Sequence, residues 1–125
     1  MGTGTEYRDF GYTAPGPGNG NVGRVLAEIF VDLTRRLGGV KHLCDLGCGN
    51  GYLASRLGAF GFHVTGIDAS ASGVEIAGRH YATDTVKFVR AEFGTDLTAI
   101  LSDGSGFDAV VSSDVIEHLY IGLRC

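Results

Sequence analysis

The stretch Asp45-Leu46-Gly47-Cys48-Gly49-Asn50-Gly51 decides how this chain reads. It closes an apolar run at 41–45 with strand character and opens onto helix-forming residues from Tyr52 onward. Glycines at 47, 49 and 51 lack a Cβ, so the backbone can turn sharply out of a strand and let a ligand approach its peptide groups. Asp45 starts that turn with a carboxylate, an acceptor suited to a cationic or amine-bearing ligand and not needed by a phosphate-binding loop. Spacing narrows the choice. A dinucleotide fingerprint G-x-G-x-x-G would put its third glycine at position 52, where Tyr52 stands, and no Gly-Lys-Ser/Thr follows to make a Walker loop.

Working outward, Val22, Val25, Leu26, Ile29, Phe30, Leu33 and Leu37 recur at three- and four-residue steps after Asn21, predicting a helix whose stripe lies in the core. Asn21 can cap it, Arg35 and Arg36 sit at the negative end of its dipole, and Gly38-Gly39 stop it. Beyond, strands at 41–45, 63–67, 86–90 and 107–112 alternate with helices at about 51–59, 71–81 and 95–101, and another starts near Val115. The alternation implies an α/β fold, a doubly wound parallel sheet joined by right-handed crossovers. The end of the first strand is then the topological switch point, where ligands bind in open sheets. Asp68 ends the second strand about 20 residues after the first glycine, the interval at which an acid takes ribose hydroxyls. A turn or cap role for it stays open, although Ser70 or Ser72 can do that capping.

Composition bounds the rest. With 125 residues and 44% hydrophobic content, the chain can build one core and is too short for two. Net charge is −4 and the ten Lys and Arg are scattered, which leaves no electrostatic footprint for nucleic acid or an anionic membrane. No basic-then-apolar leader opens the sequence and no long apolar run interrupts it, so a cytoplasmic protein is expected. Cys44 and Cys48 stand four apart with no second ligand pair nearby, a pattern of neither a zinc site nor a disulfide framework.

With DLGCGNGYLA at 45–54 go three further blocks: VTGIDAS at 64–70, AEF at 91–93 and FDAVVSSDVIEHL at 107–119. In that order and at those intervals they resemble the class I S-adenosylmethionine (SAM) dependent methyltransferases, in particular the ubiquinone-biosynthesis O-methyltransferase-like group. The resemblance runs over about 22–119 and implies SAM as the cofactor. It further implies cofactor contacts from Asp45, Gly47, Cys48, Gly49 and Gly51 in the loop and from Asp68 and Ala69 after the second strand. Glu92 would lie near the exocyclic amino group of the adenine, Phe93 would wall its ring, and Ser112 would sit beside the methionine part. Asp114, Glu117 and His118 share one helix face and resemble an acid-x-x-Glu-His segment that holds a metal in some relatives. Glu-His-Leu also follows the fourth strand in relatives that use none, so a metal there is left open, as is the catalytic residue.

Residues 1–21, rich in Gly, Thr, Pro and Asn with Tyr7, Phe10 and Tyr12 interleaved, read as a flexible tail or a lid over the cofactor. Residues 22–125 then form the N-terminal part of the SAM-binding domain. The family builds further strands after the fourth, so the sheet is expected to be incomplete on that side. Its fourth strand becomes an apolar edge on which a second copy can pair. The expected activity is methyl transfer to an acceptor, a small molecule before any other. The alternative is a catalytically inactive SAM-binding module, or a fragment that needs a partner to complete the sheet.

Overall fold

The computed structural model describes residues 9, 11–17, 22–92 and 106–113. Phe93, the expected helix at 95–101, and Asp114, Glu117 and His118 lie outside the described residues, as do Tyr7 and Phe10.

Among the described residues four strands form one parallel sheet: β1 (His42–Leu46), β2 (His63–Asp68), β3 (Val86–Arg90) and β4 (Ala109–Val111). Their spatial order is β3-β2-β1-β4, so the chain steps outward to one side of β1 and then returns to its other side. The carboxyl end of β1 is therefore the switch point that the strand–helix alternation anticipated. The central strands are buried along most of their length, as parallel strands covered on both faces must be. Leu43, Leu57, Val64, Val86 and Val111 knit the sheet to the helices in one cluster with Val31, Ala54 and Phe62.

The helices are α1 (Val22–Leu37), α2 (Tyr52–Ala59) and α3 (Ala71–Tyr81). Gly38 and Gly39 end α1 with φ of 74° and 70°, conformations that cost a side-chain-bearing residue energy. The buried face of α1 differs from the expected stripe. Ala27, Val31 and Thr34 are buried, whereas Val25, Ile29 and Leu33 are about half exposed and Leu37 is 73% exposed. At about 100° per residue, Val25, Ile29 and Leu33 lie on the side of α1 turned away from Ala27, Val31 and Thr34, whereas Leu26 and Phe30 of the expected stripe fall nearer the inner side and are half-buried. α1 rests on α2 through that inner face, where Gly23 faces the ring of Tyr52.

β4 is shorter than the expected 107–112. Its entry is fixed by Asp108, whose Oδ2 accepts the backbone N–H groups of Lys41 and His42 at 2.9 and 2.8 Å. Those bonds, with the His42 bond first, hold the Asp108 carboxyl below the usual carboxylate range. On the far side of the sheet, the Phe88 ring of β3 covers Gly66 of β2. A Cβ at Gly66 would stand 2.7 Å from that ring, closer than carbon atoms pack.

Candidate functional site

The glycine loop leaves β1 at Leu46 and reaches α2 at Tyr52 in three left-handed steps, Gly47 (φ 81°), Gly49 (φ 55°) and Gly51 (φ 89°). These φ values explain why glycine stands at all three positions. The loop's amides are largely committed to the protein itself. Gly47 and Cys48 both donate to the Ile67 carbonyl at 2.7 and 3.0 Å, and Gly51 donates to that of Cys48. Gly49 donates to Oδ2 of Asp68 at 2.8 Å. A phosphate cradle needs these N–H groups free, so the geometry argues for a ligand without phosphates.

Asp68 does more than end β2. Its Oδ1 accepts the Ser70 N–H at 2.8 Å while Oδ2 holds Gly49, so it ties the loop to the start of α3. Ser70 is the cap of α3, its Oγ accepting from Gly73 N–H. An ionised carboxylate offers about four lone-pair sites, which leaves acceptor capacity on Asp68 for hydroxyl donors.

Asp45 lies at the carboxyl end of β1, 1% exposed, and its Oδ2 has no hydrogen-bond partner among the described residues. Burial, and then the charge of Asp68, push its carboxyl up to about 7. Burial also raises the Cys44 thiol to about 11 and Cys48 well above its usual value, with Asp45 adding to both. Both thiols are free, buried and unreactive in that state.

Residues 11–17 run across the mouth of the loop. Gly16 N–H donates to the Tyr81 hydroxyl at 2.8 Å, and Tyr12 N–H donates to Ser72 Oγ. Asn50 donates its amide to the carbonyls of Ala14 and Gly16 at 3.1 and 2.8 Å, while its Oδ1 accepts Tyr52 N–H at the head of α2. At the other end Asp9 accepts from the hydroxyls of Ser70 and Ser72 and from Ser72 N–H. Those bonds, the Ser72 hydroxyl first, together with the one Asp9 accepts from Gly11 N–H, hold its carboxyl far below the usual range although it is exposed.

Between this strap and the loop lies a cavity of about 630 Å³, lined by Asp45, Gly47, Cys48, Gly49 and Asn50 from below and by Tyr12 and its neighbours from above. Of the residues expected at a cofactor, Asp45, Gly47, Cys48 and Gly49 line it. Gly51 does not: a Cβ there would meet Ala77 and Phe88 at 2.6 and 2.9 Å, so it keeps space for protein packing. Asp68, Ala69 and Glu92 stand outside the lining, next to one another along the ends of β2 and β3, where Ala91 N–H donates to the Asp68 carbonyl and Arg90 Nε to that of Ala69. Ser112 turns its Oγ onto the Leu46 carbonyl at 3.1 Å, and Ser113 takes the place at the cavity. Asp9, Asn50 and Tyr52 were not singled out from sequence. An Asn inside a glycine loop, ahead of a helix, was the available sign for Asn50.

A cavity at the switch point, walled by an acid and closed to phosphate, is matched by what the chain is similar to. Residues 16–120 match the family described as a methyltransferase domain. The chain belongs to this methyltransferase-domain family. It is 40% identical over 90 residues to the mitochondrial ubiquinone biosynthesis O-methyltransferase of Rattus norvegicus, an alignment covering 70% of this chain and 26% of that protein. The enzyme of the same name from Brucella melitensis biotype 2 is 36% identical over 86 residues, 68% of this chain and 33% of that one. This methyltransferase-domain chain thus spans between a quarter and a third of these relatives. Among solved structures it superposes on SAM-bound CalS10, an amino pentose methyltransferase from Micromonospora echinaspora, with a TM-score of 0.62 and 28% identity, covering 77% of this chain and 38% of that one. The fold is that of the class I SAM-dependent methyltransferases. Among the described residues no helix is long and apolar enough to cross a membrane.

Proposed function

We propose that the chain binds SAM between the glycine loop and the strap and serves transfer of its methyl group to a small-molecule acceptor. The observation that carries this reading is Asp45: a buried carboxylate with an unpartnered oxygen, facing a cavity at the switch point. SAM brings a matching positive charge, and when bound it supplies an electrophilic methyl on a sulfonium centre. Asp45 would hold the cationic methionine end. Asp68 would take the ribose hydroxyls with the acceptor capacity left after Gly49 and Ser70 are served, with Ala69 and Glu92 beside it toward the adenine. The left-handed turns at Gly47 and Gly49 keep side chains out of the ligand's way.

The part of the chain in this reaction is alignment and exclusion of water. Fixing two reactants in line replaces much of the entropy cost of their meeting. The strap, pinned by Asn50 and Ser72, would serve as a lid that shields the methyl from solvent. The names of the relatives favour a hydroxyl oxygen as the accepting atom, in a compound of the ubiquinone-precursor kind. The Rattus norvegicus relative is named mitochondrial and the Brucella melitensis one carries no compartment in its name; a cytoplasmic location for this chain belongs to the same proposal.

Calorimetric titration with S-adenosylhomocysteine tests the binding half: micromolar affinity is expected, and no heat at millimolar ligand refutes it. Transfer of radiolabelled methyl to a panel of catechols, phenols and amines tests the other half. Binding without transfer to any of them would favour a SAM-binding module over an enzyme.

A further inference from the structure

The Asp45 carboxylate poses a question about the ligand-free chain, because its Oδ2 is unpartnered among the described residues at 1% exposure. An ionised carboxylate so placed needs either a counter-charge or a proton. Among the described residues, the surroundings offer no counter-charge. From β2 comes Asp68, a second acid, and from β1 and the loop come the thiols of Cys44 and Cys48. The strap and α2 bring the hydroxyls of Tyr12 and Tyr52 to the cavity, and α1 brings only Gly23 and Leu26. No Lys, Arg or His is among the described residues that line it.

We propose that Asp45 holds a proton in the ligand-free chain and releases it to solvent when a ligand bearing an ammonium or sulfonium group enters, so that binding exchanges a proton for a cation. The carboxyl O–H bond breaks, the proton passes to buffer, and an ion pair with the ligand takes its place. The inference rests on the SAM reading above for the identity of the cation. Burial and Asp68, which push the carboxyl up to about 7, give the exchange its working range near neutral pH. Buried acids and ligand charge are coupled through the protons each state binds, so affinity must vary with pH wherever the exchange operates.

The test is titration of the full chain with S-adenosylhomocysteine, which carries the ammonium, in buffers of different ionisation heat at pH 6 and 7. About half a proton should leave per ligand bound at pH 7 and nearly one at pH 6, with affinity roughly fivefold weaker at pH 6 than at pH 7. Asp45→Asn should bind with no release and no such pH dependence. Because a buried amide can itself disturb folding, carboxyl carbon NMR of the unliganded wild-type chain reads the same proton directly, and Asp45 should titrate near neutrality. An Asp45 midpoint in the ordinary carboxylate range overturns the exchange. So does binding whose heat is independent of buffer, and either result leaves the SAM reading standing. Absence of S-adenosylhomocysteine binding, with Asp45 titrating near 7, overturns the SAM reading and the exchange together.

Discussion

The backbone N–H of Gly49 donates to Oδ2 of Asp68 at 2.8 Å, joining the middle of the glycine loop to the end of the neighbouring strand. Since Oδ1 of the same side chain holds the start of α3, Asp68 organises the site before any ligand arrives. Asp68→Ala should lower S-adenosylhomocysteine affinity by about 2–3 kcal/mol and also lower the unfolding midpoint, because Gly49 N–H loses its acceptor. Titration and thermal unfolding together check this. A weakened Kd with an unchanged Tm would mean that Asp68 acts on the ligand alone.

Gly51→Ala should destabilise the fold more than it harms the ligand contact. The new Cβ would stand 2.6 Å from that of Ala77 and 2.9 Å from the Phe88 ring, at a φ of 89°. Overpacking and backbone strain together imply a loss of about 2–5 kcal/mol. Denaturant unfolding measures it, and a loss under about 1 kcal/mol would show that the loop can move away from α3.

Gly49→Ala should behave differently. Its Cβ would meet the Tyr12 hydroxyl at 2.7 Å, a contact that the strap can relieve by lifting. The expected result is faster proteolysis within 11–17 and weaker ligand binding, with a stability loss of only about 1–2 kcal/mol from the left-handed φ. Limited proteolysis of the two glycine variants side by side distinguishes them.

Asn50→Asp keeps an acceptor for Tyr52 N–H but cannot donate to the carbonyls of Ala14 and Gly16. The strap should loosen while α2 stays in place. Stopped-flow displacement should show ligand leaving several-fold faster, and an unchanged off-rate would mean that Tyr81 and Ser72 suffice to hold the strap.

The stability of the unliganded chain should fall as pH rises from about 4 to 7. Asp45 has a raised folded pKa, so in this window the folded state keeps a proton that the unfolded state has lost, and the slope is at most about 1.4 kcal/mol per pH unit. Asp9 and Asp108 are depressed instead, so their contributions vanish only in stronger acid, below that window. Urea unfolding at pH 5, 6 and 7 checks the sign, and Asp45→Asn should flatten the curve.

The sheet was legible because parallel strands are buried on both faces and read as short apolar runs. Strand β3 and helix α3 fall on the expected residues, β2 and α2 shift by a residue at one end, and β1 shifts by a residue at both. What sequence could not supply was direction round a helix and contact across distance. The row Val25-Ile29-Leu33-Leu37 satisfied helical spacing, yet Ala27 and Val31 are the residues buried on the inner face. Likewise, Gly- and Pro-rich composition says little about residues 11–17. Their order comes from bonds to Ser72, Tyr81 and Asn50, residues more than thirty positions away. At the candidate site, the placement of the loop at the end of β1 and of both acids at strand ends could be read from sequence, whereas the partner of Gly49 and the neighbours of Gly51 appear only once the strands are assembled.

The Phe88 ring also constrains how the sequence can drift. It crowds the ground that side chains at both Gly51 and Gly66 would need, beside Ala77 at the first position and Cys48 at the second, so one aromatic helps to hold two distant positions to glycine. Of these, Gly66 carries no left-handed φ, and its restriction is steric alone. An alanine at 66 is therefore expected to need a smaller side chain at 88 first, and some give at Cys48, whose Cβ would stand 3.0 Å away. The order of those two substitutions is set by packing, with the glycine the second to change.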